Sequence, residues 1–182
     1  RATPAVAPPT QLVSNCGEDE YGNYSGGQAG DQTGHEWDLR AWPDKQWTCV
    51  LRYPDESIRN KFASLASAAA ANDLIGYNQD NRLTFWEHLE ASGYDPSKIT
   101  VPCEADCSAG AAAIVKAVGY LDNIPALQKT DITMSTASMK ESLVGEGFDV
   151  HSDSRYLTGP DYLLPGDIVL CEKHHVVINI TE

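Results

Sequence analysis

The segment from Cys107 to Gly119 constrains the fold more than any other part of the sequence. It reads Cys-Ser-Ala-Gly-Ala-Ala-Ala-Ile-Val-Lys-Ala-Val-Gly and is almost entirely small or apolar. This composition predicts a helix that begins at Cys107 and ends at Gly119, since glycine commonly terminates helices. A helix that is apolar all round must be buried, so we expect other elements to cover each of its faces.

Helical patterns surround this segment, and strand patterns follow it. Apolar residues spaced three and four apart predict helices over 57–71, 81–91 and 136–144. Asp55 is the expected cap of the first of them. Strand patterns occupy 148–151, 167–171 and 174–180, and Glu172-Lys173 is the expected turn between the last two. Helices followed by strands are typical of an α+β domain with an antiparallel sheet.

The length of the chain suits a single domain. It has 182 residues, 42% of them hydrophobic, which is enough for one contiguous core. Residues 1–15 are expected to be a linker or a processed N-terminus, and residues 16–182 the single domain. Residues 16–34 are dense in Gly, Asp, Glu and Asn, and we expect a loop without regular structure there.

The charge balance excludes some classes of partner. Lys and Arg number 13 against 26 Asp and Glu, which gives a net charge of -13. Nucleic-acid binding relies on clustered Lys and Arg, so no nucleic-acid partner is expected. No apolar run approaches the roughly 20 residues of a membrane-spanning helix, so we expect no membrane insertion. We expect a monomer.

Cys107 is the first candidate for chemistry. Cysteine attacks as the thiolate, and a helix N-terminus favours that form, so we expect a lowered thiol pKa. The small residues Ser108, Ala109 and Gly110 are expected to leave backbone amides open to a substrate carbonyl.

A cysteine nucleophile also needs a base, usually a histidine. His174 and His175 stand together at the head of the last apolar strand. Because side chains alternate along a strand, the two histidines point to opposite faces, and the local pattern does not choose between them.

These motifs resemble the NlpC-type cysteine peptidases. Asp-Cys-Ser at 106–108 opens a buried helix, Pro-Gly-Asp at 165–167 precedes a strand, and His-Val-Val-Ile at 175–178 forms the last strand. The resemblance covers residues 72–182, and the related CHAP amidohydrolases share the same core. It implies a papain-like half-barrel, with the nucleophile helix packed on an antiparallel sheet. It also implies a catalytic domain that hydrolyses an amide bond of bacterial peptidoglycan, as an endopeptidase or an N-acetylmuramoyl-L-alanine amidase.

The resemblance implies roles for individual residues. Cys107 matches the family's nucleophile, and His175 matches its base, which directly precedes the Val-x-Ile pattern. Tyr77 matches a tyrosine that approaches the active sulfur. The family's third polar residue, which orients the histidine, has no matching position after the last strand. Asn179, on the same strand face as His175, is the expected substitute; the alternatives are a residue of the Gly-rich loop at 16–34 or one beyond residue 182.

The resemblance also implies a setting. The partner would be a peptidoglycan stem peptide, and the protein would act outside the cell or at the cell wall, as a secreted bacterial enzyme or a phage lysin. No cofactor is implied.

Two alternatives to catalysis remain open. Cys103, Cys107, Cys171 and His174 have spacings that could supply four ligands to a zinc ion. Alternatively, Cys107 is a buried structural thiol, and the domain is an inactive cell-wall binding or interaction module of the same fold. A disulfide between Cys103 and Cys107 would block the site.

Overall fold

The computed structural model describes residues 11–181, which form an α+β architecture. The strands are β1 (Val13–Cys16), β2 (Trp37–Arg40), β3 (Cys49–Arg52), β4 (Ile75–Tyr77), β5 (Cys103–Ala105), β6 (Asp149–His151), β7 (Ile168–Cys171) and β8 (His175–Asn179). The helices are α1 (Glu56–Ala71), α2 (Thr84–Ala91), α3 (Cys107–Leu121), α4 (Pro125–Gln128), α5 (Met139–Gly145) and α6 (Ser154–Leu157).

Six strands form one sheet in the order β2-β1-β8-β7-β3-β6, and every neighbouring pair is antiparallel. The predicted α+β class and antiparallel sheet are therefore confirmed, whereas the papain-like half-barrel remains a prediction. The predicted order of helices first and strands last is wrong, because β1, β2 and β3 precede α1. These strands are four residues long and mix polar with apolar residues, so their sequences carry little alternation. A separate two-stranded sheet pairs β4 and β5 in parallel.

Helices α1 and α3 form as their sequences predict. The Asp55 side chain accepts a hydrogen bond from the backbone N–H of Ile58 and caps α1. Helix α3 begins at Cys107 and is covered by α1, α2, α4 and β8, as its apolar composition requires. It ends at Leu121 rather than at Gly119, where a Cβ atom would lie only 2.5 Å from the backbone nitrogen of Gln128. Gly119 therefore allows α4 to approach α3.

The domain begins earlier than the predicted boundary at residue 16. Strand β1 starts at Val13, and the backbone N–H of Leu12 donates to Thr181 Oγ1 over 2.8 Å. Residues 13–15 therefore belong to the sheet and not to a linker. Residues 1–10 of the predicted linker lie outside the described residues.

The sheet separates two apolar clusters. The larger lies between the sheet and the helices and includes Phe62, Ile114 and Val176. The smaller packs on the opposite face around Trp47, Val169 and Val177. No helix within residues 11–181 has the length and apolar character needed to cross a membrane.

Candidate active site

Cys107 is the first residue of α3, and a polar clamp holds that end of the helix. Asp106 caps the helix by accepting a hydrogen bond from the N–H of Ala109 over 2.8 Å. The Arg82 guanidinium holds the other Asp106 oxygen over 2.7 Å and donates to Ser108 Oγ over 2.9 Å. Such charge-assisted bonds are strong, so the position of Cys107 is well determined.

The resting thiol of Cys107 does not have the lowered pKa expected from its place on the helix. Burial, and then the charge of Asp106, raise the pKa of this thiol from 9.0 to about 11. Backbone N–H groups of Val176 and Ser108 and the Arg82 charge act in the opposite direction but are weaker. Desolvation therefore outweighs these stabilising contacts, and the raised pKa favours the neutral thiol in the resting site.

The small residues after Cys107 serve packing rather than access. Ser108, Ala109 and Gly110 are all buried, so they do not form the open surface that their size predicts. A Cβ atom on Gly110 would lie 2.9 Å from Cη2 of Trp37. Glycine is therefore required here so that the Trp37 ring of β2 can lie against α3.

His175 is buried at the start of β8 and is held by one specific contact. Its Nε2 atom lies 2.7 Å from Oδ1 of Asn15, and its ring lies 6.3 Å from the ring of Trp47. An amide oxygen only accepts hydrogen bonds, so Nε2 carries the proton and Nδ1 keeps a free electron pair. Burial, and then the charges of Lys45 and Arg40, lower the pKa of His175 from 6.5 to about 4.

The residue that orients His175 is therefore Asn15 and not the predicted Asn179. The Asn179 side chain donates to the backbone oxygens of Leu164 and Thr181, and it accepts from Gln11. Four residues along an extended strand span roughly 13 Å, which puts Asn179 out of reach of the imidazole. Asn179 is a structural residue that joins the end of β8 to the preceding loop.

Sheet register explains why Asn15 meets His175. Val13 of β1 lies opposite Asn179 of β8, and Ser14 lies opposite Ile178. Continuing that register places Asn15 opposite Val177, with His175 as its diagonal neighbour on the same face. Asn15 lay in the predicted linker, and its one sequence signal is the short run Leu-Val-Ser-Asn-Cys before the loop.

One cleft of about 400 Å³ brings the predicted residues together. Cys107, His175 and Tyr77 all line it, as does His174, whereas Asn179 does not. The other lining residues are Asn15, Gly17, Glu18, Tyr24, Arg40, Pro43, Lys45, Gln79 and Lys173. Residues that are up to 160 positions apart in the sequence, such as Asn15 and His175, thus form a single site.

Tyr77 places a phenol in this cleft. Gln79 Nε2 donates to its hydroxyl oxygen over 3.1 Å, which leaves the hydroxyl proton free to be donated elsewhere. Burial raises the pKa of Tyr77, so this group stays neutral. Its backbone N–H donates to Oε1 of Glu36 over 3.1 Å, and the Tyr24 ring lies 6.4 Å from its own ring.

The loop between β1 and β2 forms the wall beside Tyr77, and it contains no strand or helix, as predicted. Carboxylates organise it: Asp31 accepts from the N–H groups of Gly34 and Trp37 over 2.7 and 3.2 Å. The loop rests directly on β4, because a Cβ atom on Gly76 would lie 2.0 Å from the backbone oxygen of Gly30. The close approach of these two glycines holds the loop against the strand that carries Tyr77.

The zinc alternative fails on geometry. Cys103 packs in the larger apolar cluster, and Cys171 packs in the smaller one on the opposite face of the sheet. Within residues 11–181, no group of three or more His, Cys, Asp or Glu side chains could hold a metal ion. All five cysteines, Cys103 and Cys107 included, are free thiols.

Comparison with known protein families shows to which family the chain belongs. A family model described as an endolysin-like domain matches residues 13–182. The chain belongs to this family. No curated protein and no solved structure matches it. The endolysin-like domain begins at the first residue of β1, so it includes Asn15 and the complete lining of the cleft.

Family membership supports a peptidoglycan-related lytic function of the endolysin type. It does not distinguish an NlpC-type from a CHAP-type domain, so that narrower relationship remains a resemblance of motifs.

Proposed function

We propose that this endolysin-like domain is a cysteine hydrolase that cleaves an amide bond in the peptide part of bacterial peptidoglycan. The observation that carries the proposal is the shared cleft of Cys107 and His175, in which Asn15 fixes the imidazole with Nδ1 unprotonated. A thiol at a helix start, a base and an orienting amide are the parts that nucleophilic catalysis by cysteine requires.

The pKa directions at the two groups favour a neutral resting pair. Burial raises the pKa of the Cys107 thiol and lowers the pKa of His175, so at neutral pH both are uncharged. His175 Nδ1 takes the thiol proton as the sulfur attacks the amide carbonyl. The imidazolium that forms keeps its Nε2–H bond to Asn15, which stabilises the new charge.

The electron pairs and protons balance over two steps. Sulfur bonds to the carbonyl carbon, the C–N bond breaks, and the imidazolium proton passes to the leaving amine. His175 then takes a proton from water, whose oxygen attacks the thioester, and that proton returns to the Cys107 sulfur as the acid is released. The cleft binds a peptide segment whose scissile carbonyl lies between the two side chains.

Two hydrogen-bond donors would stabilise the oxyanion of each step. One is the backbone N–H at Cys107, the first position of α3, where helical N–H groups have no partner within the helix. The other is the Tyr77 hydroxyl, which accepts from Gln79 and so retains its own proton for donation.

Lysis of purified cell walls tests the proposal. We expect the wild-type protein to clear a suspension of peptidoglycan and Cys107→Ala to be inactive with an unchanged circular dichroism spectrum. Cys103→Ala is the matched control, because Cys103 is a fully buried thiol four residues away in β5 that does not line the cleft.

Mass spectrometry of the released fragments identifies the bond, since amide cleavage leaves a new amine and a new carboxyl. Equal lysis by Cys107→Ala and wild type would contradict the mechanism. Wall binding without any lysis by the wild-type protein would instead favour the inactive binding module.

A further inference from the structure

The cleft has a charge pattern opposite to that of the rest of the protein. The chain has twice as many acidic as basic residues, yet three basic side chains and one acidic side chain line the cleft. The basic residues are Arg40 at the end of β2, Lys45 in the following loop and Lys173 in the turn before β8. A cluster of one sign against a background of the other focuses the field on ligands of opposite charge.

The basic residues belong to the His175 side of the cleft. Trp47, which packs near the His175 ring, donates through Nε1 to the backbone oxygen of Pro43, and this contact holds the loop that carries Lys45. Lys173 is two residues before His175. The single carboxylate, Glu18, lies against Gly22 of its own loop, 3.8 Å from the position of a Cβ atom there.

These cations have donors available for a ligand. Lys45 and Lys173 take part in no ion pair within residues 11–181. Arg40 uses Nε for Asp38 and Nη2 for the backbone oxygen of His35, so other N–H groups of its guanidinium remain free.

The positive charges of the cleft also oppose one step of the proposed reaction, the protonation of His175. Lys45 and Arg40 disfavour a proton on His175, yet the proposed reaction passes through the imidazolium. An anion bound beside them would reduce this repulsion in the step where the imidazole becomes charged. The positive charges disfavour the imidazolium while the cleft is empty, and a bound anion would offset them. This arrangement favours an anionic ligand.

We propose that Arg40, Lys45 and Lys173 form a carboxylate-binding subsite, so that the substrate is a cell-wall peptide with a free carboxylate close to the scissile amide. The inference rests on the proposed hydrolysis and specifies its substrate. Cell-wall peptides in which that carboxylate is a carboxamide are then poorer ligands.

Binding measurements on the inactive Cys107→Ala protein test this subsite without turnover. The probes are a synthetic stem tetrapeptide with free carboxylates and the same peptide with every carboxylate converted to a carboxamide. NMR titration gives the dissociation constant of each. We expect the carboxylate peptide to bind about tenfold more tightly in low salt, and the difference to shrink at high salt, because exposed charge pairs are weak and screened.

A double variant tests the contribution of the two lysine charges to binding. Lys45→Met with Lys173→Met keeps the aliphatic stems, removes both charges and should weaken binding of the carboxylate peptide about fivefold to tenfold without affecting the carboxamide. The control is Lys98→Met with Lys129→Met, two exposed lysines that do not line the cleft. Equal binding of both peptides, or no effect of the double variant, would overturn the subsite.

The lysis assay distinguishes failure of the carboxylate-binding subsite from failure of the proposed hydrolase function. Wild-type lysis without any preference for the carboxylate peptide overturns the subsite alone. Absence of lysis overturns the hydrolase itself.

Discussion

The two walls of the cleft are built on different physical principles. The wall that carries Cys107 is a close-packed helix whose small apolar side chains lie against α1, α2, α4, β1, β5 and β8. The other wall, from β1 through the loop to Trp47, is held by hydrogen bonds to carboxylate and amide oxygens such as those of Asp31 and Asn15. Packing thus holds the body of the helix that carries the proposed nucleophile, with polar contacts of Asp106 and Arg82 at its first turn, whereas polar contacts hold the partners of the nucleophile. Substitutions on the packed wall should change stability, and those at polar contacts should change activity with less effect on stability.

The largest effect is expected at His175. His175→Ala removes the proposed base, and general base catalysis contributes roughly 10²- to 10⁴-fold to rate, so lysis should fall by that order. His174→Ala is the matched control, because His174 lines the same cleft on the neighbouring position of the chain. Initial rates of wall lysis by the three proteins measure the difference. A larger loss in His174→Ala than in His175→Ala would reverse the assignment.

The next effect is expected at Asn15, a positioning residue. A hydrogen bond to a charged group is worth roughly 1.5–3 kcal/mol, so Asn15→Ala should lower kcat roughly tenfold to hundredfold with little change in KM. Asn15→Asp keeps an acceptor oxygen for Nε2 and should retain more activity than Asn15→Ala.

Asn179→Ala provides the contrasting variant. It leaves two backbone oxygens without their side-chain donor, which should lower the free energy of unfolding by roughly 1–3 kcal/mol while kcat stays near wild type. Thermal unfolding and steady-state kinetics of Asn15→Ala and Asn179→Ala test these two expectations. An activity loss in Asn179→Ala that exceeds that of Asn15→Ala would contradict the assignment of the orienting residue.

A smaller effect is expected where the loop meets β4. Gly76→Ala forces a contact of 2.0 Å with Gly30 and should lower stability by roughly 1–3 kcal/mol. Gly145→Ala is the control, because no atom lies within 4 Å of a Cβ there, and alanine is the better helix former in α5. Thermal melts should show a lower Tm for the first variant and an equal or higher Tm for the second. An unchanged Tm in Gly76→Ala would mean that the loop is not tightly docked.

The smallest change is a displacement of the pH profile. The pKa of His175 is lowered from 6.5 to about 4, so the imidazole is the neutral base at all pH values above about 4. The rate should therefore be unchanged between pH 6 and 7 and should fall to half near pH 4, as protonation removes the base. Rates on a soluble stem peptide give the midpoint. A midpoint at 6.5 or above would show that His175 is more exposed during turnover than in the structure.

The sequence was most informative where structure is local. The start of α3 at Cys107, the cap of α1 at Asp55 and the last strand with its histidine depend on neighbouring residues, and all were predicted. The choice of His175 over His174 depended on a family resemblance, because both histidines line the cleft.

The sequence was least informative where the site depends on contacts between distant segments. Asn15 meets His175 only because β1 inserts between β2 and β8, and a four-residue strand carries too little pattern to predict that pairing. The thiol pKa was predicted in the wrong direction for a related reason. Burial of Cys107 depends on the segments that cover it, and these are not visible in the residues around the cysteine.

The most direct test of the central claim is the mass of the intact protein during turnover. Acid quenching of wild-type protein with a stem peptide should trap a thioester whose added mass equals the acyl part of the cleaved peptide. Peptide mapping should place that mass on Cys107, and Cys107→Ala should show neither the adduct nor cleavage. Cleavage that continues undiminished in Cys107→Ala, with no adduct at any residue, would contradict the account.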